Sequence, residues 1–341
     1  FGAIDHTRFT SSALHCLVLL AAACQKREKS SATTTTSANE PATKAASGGT
    51  DERLPAALTD GPPPLLAPMV KFLPADGLRA PASIIHDEAS DAYLVSNMDG
   101  PPTADDGKGF ISKLSPDGKK ILARWIESGK NKVVLNAPKG MALRGDELWV
   151  ADLDKVRIFH RILGIPLGEV EVPGAKFLAD VTLSPDGAIL VSDAALKANA
   201  RGELEESGTG AVYAIYRDKT TTSLNLVVKD LHGPKALFAM PDKTWTVAFG
   251  SGDVLSIDAV RKLGDVQRLP RGELEGIVAV DDDLLVASRA ANAIFQGRPN
   301  GKWRILVGDV KSPGDIGFDR KRRRLLVPLV TEDEVRVYGS R

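Results

Sequence analysis

A short apolar run near a Pro or Gly recurs six times in this 341-residue chain, and that recurrence limits the fold more than any other feature. The runs are PASIIH from Pro81, PKGMAL from Pro138, LADVTL from Leu178, PKALFA from Pro234, LEGIVAV from Leu274 and PGDIGF from Pro313. The first apolar residues after each lead-in are Ile84, Met141, Val181, Leu237, Ile277 and Ile316, with intervals of 57, 40, 56, 40 and 39 residues. A polar turn and a second strand follow each time, as in DAYLVSN, DELWVAD and GAILVSD. A third strand comes next (VRIFH, AVYAIY), and usually a fourth (GEVEVP, NLVVKDL). The runs are rich in β-branched residues, SPDG and PNG turns punctuate them, and no long stretch has helical period.

Four antiparallel strands repeated six times, at roughly 40–45 residues per unit, predict an all-β, six-bladed β-propeller, because radial repetition leaves only short, protected sheet edges. The sixth repeat ends after its third strand, Val335–Tyr338. The run Pro68–Leu73 is therefore expected to supply the fourth strand of blade 6 and close the ring.

The propeller should occupy residues 65–341, with two other segments ahead of it. Residues 1–24 read as a secretory signal of lipoprotein type: Arg8, an apolar run from Ala13 to Ala23, then Cys24 after three Ala. That run is short of the ~20 residues needed to span a bilayer. Cys24 is the expected lipidation site, the alternative being an ordinary signal with a Cys after the cut. Gln25 favours the outer membrane, so the location expected is the periplasmic side of a bacterial envelope. Residues 25–64 (SSATTTTSANEPATKAASGGT and its flanks) bury too little apolar surface to offset ordering entropy, and read as a disordered tether. With Cys16 in the signal and Cys24 the lipid site, the domain has no thiol, which removes disulfides, thiol nucleophiles and Cys metal sites.

The two long intervals mark insertions, Met98–Gly109 and Ala195–Gly210. Both leave the end of a second strand and so should share one face of the propeller, where loops on a rigid scaffold build sites. The lead-ins to the inner strands should face the channel mouth, and they supply Lys139, Asp180, Lys235, Glu275 and Asp315 in order around the ring. Hard cations want several oxygen ligands and few competing ammonium groups. The two Lys are expected to replace a metal in part, pairing with Asp180 and Glu275. Asn97, Asp99 and Asp193, at second-strand ends, are candidates for the same pocket, with turn capping as their competing role.

The stretches YLVSN with DGKGFISKLSPDG, APKGMAL with ELWVAD, and PGAKFLADVTLSPDGAILVSD resemble the senescence-marker-protein/gluconolactonase family, which includes luciferin-regenerating enzyme. The likeness runs over roughly residues 66–341. It implies a six-bladed propeller with a divalent metal, often calcium, at the top of the channel, and hydrolysis of sugar lactones. Of the three ligand positions it implies, one is retained as Glu275 and one reads Ala179 with Asp180 beside it. The third falls in Ala80–Ser83, which has no carboxylate. The metal candidates are thus Asp180 and Glu275. The general base would be Asp180, or Glu275 if Asp180 held the metal, activating water while a metal or Lys polarised the lactone carbonyl.

Forty-four Lys and Arg balance 44 Asp and Glu, which leaves no field to gather phosphates, and no nucleic acid partner is expected. His86, His160 and His232 have no ligand spacing, and no nucleophile elbow or phosphate loop has its strand–helix setting. The basic run Arg320–Arg324 reads as a solvated turn, and Trp125, Trp149, Trp245 and Trp303 as packing. Two functions stay open. One is an envelope-anchored, monomeric binding protein with a degenerate metal site, taking a small molecule or an envelope protein and touching membrane only through its lipid. The other is a metal-dependent hydrolase of sugar lactones or related esters.

Overall fold

The computed structural model describes residues 68–208, 210–219 and 221–339. The signal, the tether and Cys24 lie outside these residues. Apart from one short 3-10 turn at Pro74–Asp76, the regular structure described is all strand. Six four-stranded antiparallel sheets follow one another along the chain as blades 1 to 6, with inner strands Pro81–Asp87, Pro138–Arg144, Leu178–Leu183, Pro234–Ala239, Leu274–Val280 and Gly317–Asp319. In blade 6 the order is Gly317–Asp319, Arg324–Leu329, Glu334–Gly339, then Pro68–Phe72. The N-terminal strand runs antiparallel to the last one, pairing Phe72 with Val335 and Val70 with Val337. The ring closes as the repeats predict.

The strands are apolar on both faces because each sheet is packed between two others. Six buried clusters fill the six seams. Leu94, Ile111 and Met141 lie between blades 1 and 2, and Trp149, Val181 and Ile215 between blades 2 and 3. Leu190, Leu237 and Ile257 join blades 3 and 4, while Trp245, Ile277 and Phe295 join blades 4 and 5. Ile294, Ile316 and Val327 close the next seam, and Phe72, Tyr93 and Val335 the last. Neighbouring residues such as Ile84 and Ile85 therefore face different seams, as a period of two requires.

A local irregularity recurs where five of the inner strands begin. The ladder to the second strand shifts register between Pro81 and Ser83, Pro138 and Met141, Leu178 and Asp180, Pro234 and Ala236, and Leu274 and Gly276. A bulge leaves a residue unpaired and re-aims its side chain. The unpaired residues are Ala82, Lys139 with Gly140, Ala179, Lys235 and Glu275. This bulge carries the chemistry of the site.

Candidate functional site at the channel mouth

The mouth is a cavity of about 640 Å³ lined by every one of those unpaired residues, together with Gly314 and Asp315 of blade 6. Both insertions overhang it: Met98, Gly100 and Pro102 from blade 1, and Arg201–Leu204 from blade 3. The blade-3 insertion is a small hairpin, Leu196–Ala198 against Leu204–Glu206. Its tip is held by the Asn199 side chain, which accepts from the amides of Arg201 and Glu203 at 2.9 and 3.0 Å. Leu196 and Leu204 anchor it on Phe177 and Phe249, and Leu204 and Phe249 give the mouth one apolar wall.

Glu275 is the hub of the charged side. Its two oxygens meet Lys235 Nζ and Arg289 Nη1, each at 3.2 Å. The Lys235 and Glu275 side chains keep only 10% and 9% of their surface exposed, so the pair is nearly desolvated. Lys139 does not pair with Asp180. Its Nζ donates to the Ala137 carbonyl at 2.9 Å, and no carboxylate among the described residues forms an ion pair with it. Lys139 Nζ and Lys235 Nζ both lie 4.5 Å from the centroid of the Phe177 ring, so two lysines share one aromatic platform. Burial, helped by the neighbouring Lys235 charge and opposed by Asp152, lowers Lys139 to about 7.

Asp180 stands one step deeper. In blade 3 the residue at the bulge is Ala179, while Asp180 rejoins the ladder opposite Ser192. Its carboxylate accepts from the amides of Val181 and Leu237, both at 2.7 Å. It lines a second cavity of about 200 Å³, with Met141, Leu237 and Ile277, and Asp315 borders both cavities. Gly140 makes room for it, since a Cβ there would overlap an Asp180 carboxylate oxygen. Burial and the Asp315 charge push Asp180 well up from the usual carboxylate range. Asp315 is pushed up to about 7 by burial and Glu275, against a 2.6 Å hydrogen bond from Ser83 Oγ and the charge of Lys235.

The other candidates serve the frame. Asn97 is buried, accepts from the Arg79 amide at 2.9 Å, and donates to the Val95 carbonyl and Ser112 Oγ. Asp193 accepts from the amides of Phe177 and Ala195, at 3.1 and 3.0 Å, and so holds the aromatic platform in place. Asp152 does the same job in blade 2, accepting from Asn136 and Ala137. Asp99 pairs with Arg124 at 2.8 Å. The three His do not converge: His86 sits between Asp91 and Asp319, His160 caps its own turn, and His232 faces Glu206. The basic run is stitched to its neighbours, Arg323 to Asp281 of blade 5 and Arg322 to Asp91 of blade 1. Three site residues escape a reading by repeats alone, namely Phe177, Phe249 and Arg289. Their one sequence signal is position, just before an inner strand or just after a second one.

A divalent cation does not fit the donors present. Glu275 and Asp180 face different cavities, both Glu275 oxygens hold cations, and both Asp180 oxygens hold amides. Two lysines share the mouth with Glu275. Among the described residues no group of three or more His, Cys, Asp or Glu is placed to hold a metal.

The class defined here is a six-bladed β-propeller with a lysine-bearing mouth on the face that carries its two insertions. No family model matches the chain, and no curated protein sequence matches it. Among solved structures, it is similar to a gluconolactonase from Xanthomonas campestris (15% identity, 82% of this chain and 95% of that one, TM-score 0.58). It is also similar to the calcium-binding protein regucalcin from Agrobacterium tumefaciens (14%, 80% and 94%, TM-score 0.58) and to a streptogramin B lyase (13%, 80% and 97%, TM-score 0.54). Gluconolactonase-type propellers thus stand among its structural neighbours, in line with the resemblance drawn from the sequence, and at these identities the likeness is one of fold.

Proposed function

We propose that the channel mouth binds a small organic anion and that the protein is a binding propeller rather than a metal-dependent hydrolase. One observation carries this reading: the amino groups of Lys139 and Lys235, two residues that line the 640 Å³ cavity, share the face of the buried Phe177 ring, and among the described residues Lys235 has a carboxylate partner while Lys139 has none. Lys235 and Arg289 are balanced by Glu275 and Glu273, and Lys139 adds hydrogen-bond donors with no paired acid among the described residues. Buried donors are costly unless hydrogen-bonded, so an incoming carboxylate, which is all acceptor, relieves the site. Phe249 and Leu204 supply an apolar wall for its carbon skeleton.

Calorimetry of the full chain with gluconate, glycolate and a neutral polyol tests this. The acids should bind and the polyol should not, and Lys235→Met should weaken the acids at least tenfold; equal binding of acid and polyol overturns the reading. Calcium titration should give no saturable heat, and micromolar calcium binding would restore the metal.

A second reading is favoured by the gluconolactonases among the structural neighbours. In it Glu275 or Asp315 activates water against a sugar lactone held by Lys139. A lactone panel assayed with and without Ca²⁺, Mn²⁺ and Zn²⁺ decides it, since turnover abolished by Glu275→Gln would establish the hydrolase. We also propose that Cys24 anchors the chain to an envelope membrane; labelling with radioactive palmitate should vanish in Cys24→Ser.

A further inference from the structure

Lys139 is placed as an amine rather than as an ammonium ion. An ammonium has three N–H groups to satisfy, and among the described residues Lys139 Nζ has one hydrogen-bond acceptor, the Ala137 carbonyl, plus the face of Phe177. The residue is 4% exposed. A neutral amine needs fewer acceptors and keeps a lone pair. A second ammonium, Lys235, stands over the same ring and disfavours a further positive charge. Lys235 is ion-paired with Glu275, which Arg289 meets from the other side, so the two lysines have unequal roles. Nucleophilic lysines are made by this kind of desolvation beside another cation.

We propose that Lys139 is a covalent binding residue, its amine condensing with the aldehyde or ketone carbon of a small oxo acid whose carboxylate rests against the Lys235–Glu275–Arg289 triad. The proposal rests on the anion site above and adds a carbonyl group to its ligand. The Nζ lone pair attacks the carbonyl carbon, forming the C–N bond, while the carbonyl oxygen takes a proton. The nitrogen then releases its proton, the C–O bond breaks with departure of water, and a C=N bond remains. No oxidant or reductant is consumed. Asp315 borders the same cavity, is hydrogen-bonded by Ser83, and keeps its proton to about pH 7. It is the acid placed to protonate the oxygen in both steps. Burial lowers Lys139 to about 7, so the lone pair is available at neutral pH.

The test is reductive trapping on the full chain. Glyoxylate and cyanoborohydride at pH 7 should leave a carboxymethyl group on Lys139 at least about tenfold faster than on Lys119, an exposed lysine (81% of its side-chain surface). The Lys139 rate should be half-maximal near pH 7. Propionaldehyde, which lacks the carboxylate, should react more slowly at Lys139, and Lys235→Met should erase that preference. Lys139 modified no faster than Lys119, or not at all, overturns the proposal, and peptide mapping of the unsubstituted protein shows this whether or not any variant folds. Glycolate calorimetry separates the two readings. Glycolate binding without trapping removes the amine chemistry and leaves the anion site, while trapping without glycolate binding removes the anion site as drawn.

Discussion

The channel carries two rings of side chains one residue apart in sequence, and their chemistry is opposite. The outer ring, at the five bulges and the matching position of blade 6, reads Ala82, Lys139, Ala179, Lys235, Glu275 and Gly314. The inner ring reads Ser83, Gly140, Asp180, Ala236, Gly276 and Asp315. The outer ring holds charge by pairing side chain with side chain across blades, as in Lys235 with Glu275. The inner ring holds it with the backbone, as in Asp180 with the amides of Val181 and Leu237. A wide mouth admits long side chains and a ligand. A narrow waist admits small residues and two short acids, one of which rests against a glycine. A hydrolase that mounted a metal at the top of such a channel would need its acids in the outer ring, and here two of the three acids sit in the inner one.

The comparison breaks most violently if the charge hub is removed. Glu275→Ala strands Lys235 in a nearly dry site and should cost about 3 kcal/mol or more, read from denaturant unfolding. Glu275→Gln should cost less, because its carbonyl still accepts one hydrogen bond. Equal, negligible losses would mean the triad is a surface feature. At the waist, Gly140→Ala sets a methyl against Asp180, whose Cα lies only 2.5 Å from where that carbon would stand. Overpacking of this kind costs about 1–3 kcal/mol, and a neutral result would mean the waist is open.

Titration should set the rings apart by sign. The folded state raises Asp315 from 3.8 to about 7, so it binds that proton more tightly than the unfolded chain. Stability from this group is present below about pH 4 and lost as pH rises to about 7. Asp315→Asn should remove that decline, a change of order 1 kcal/mol per pH unit within the window. Lys139 behaves oppositely, its folded value depressed from 10.5 to about 7. Its contribution is present above 10.5 and lost as pH falls to about 7, and Lys139→Met should flatten the alkaline limb. Both effects are read from melting temperature against pH. The smallest effect should come from Asp99→Ala, since its pair with Arg124 is partly solvated and worth under about 1 kcal/mol.

Much of this was legible from the six runs alone. Counting back from Ile84, Met141, Val181, Leu237, Ile277 and Ile316 gives the inner ring at one residue and the outer ring at two. Placing Lys139, Asp180, Lys235, Glu275 and Asp315 in one ring merges those two positions. They separate only when the ladder is seen to skip the residue before Asp180 and to pair Asp180 itself with Ser192. Asn97 and Asp193 carry signals that suit a pocket equally well, and amides on the preceding lead-in claim them instead.

The sequence by itself determined the number of blades, the order of their strands, the closure by Pro68–Phe72 and the shared face of the two insertions. These follow from local periodicity and spacing, which a chain carries wherever it folds. Only the tertiary structure decided which charges meet. Phe177 and Arg289 come from blades 3 and 5, and the cavity that Lys139 shares with Lys235 and Glu275 exists only where the inner strands converge. The direction of a side chain at a bulge depends on hydrogen bonds to another strand, and its ionisation on how much water the assembled ring excludes.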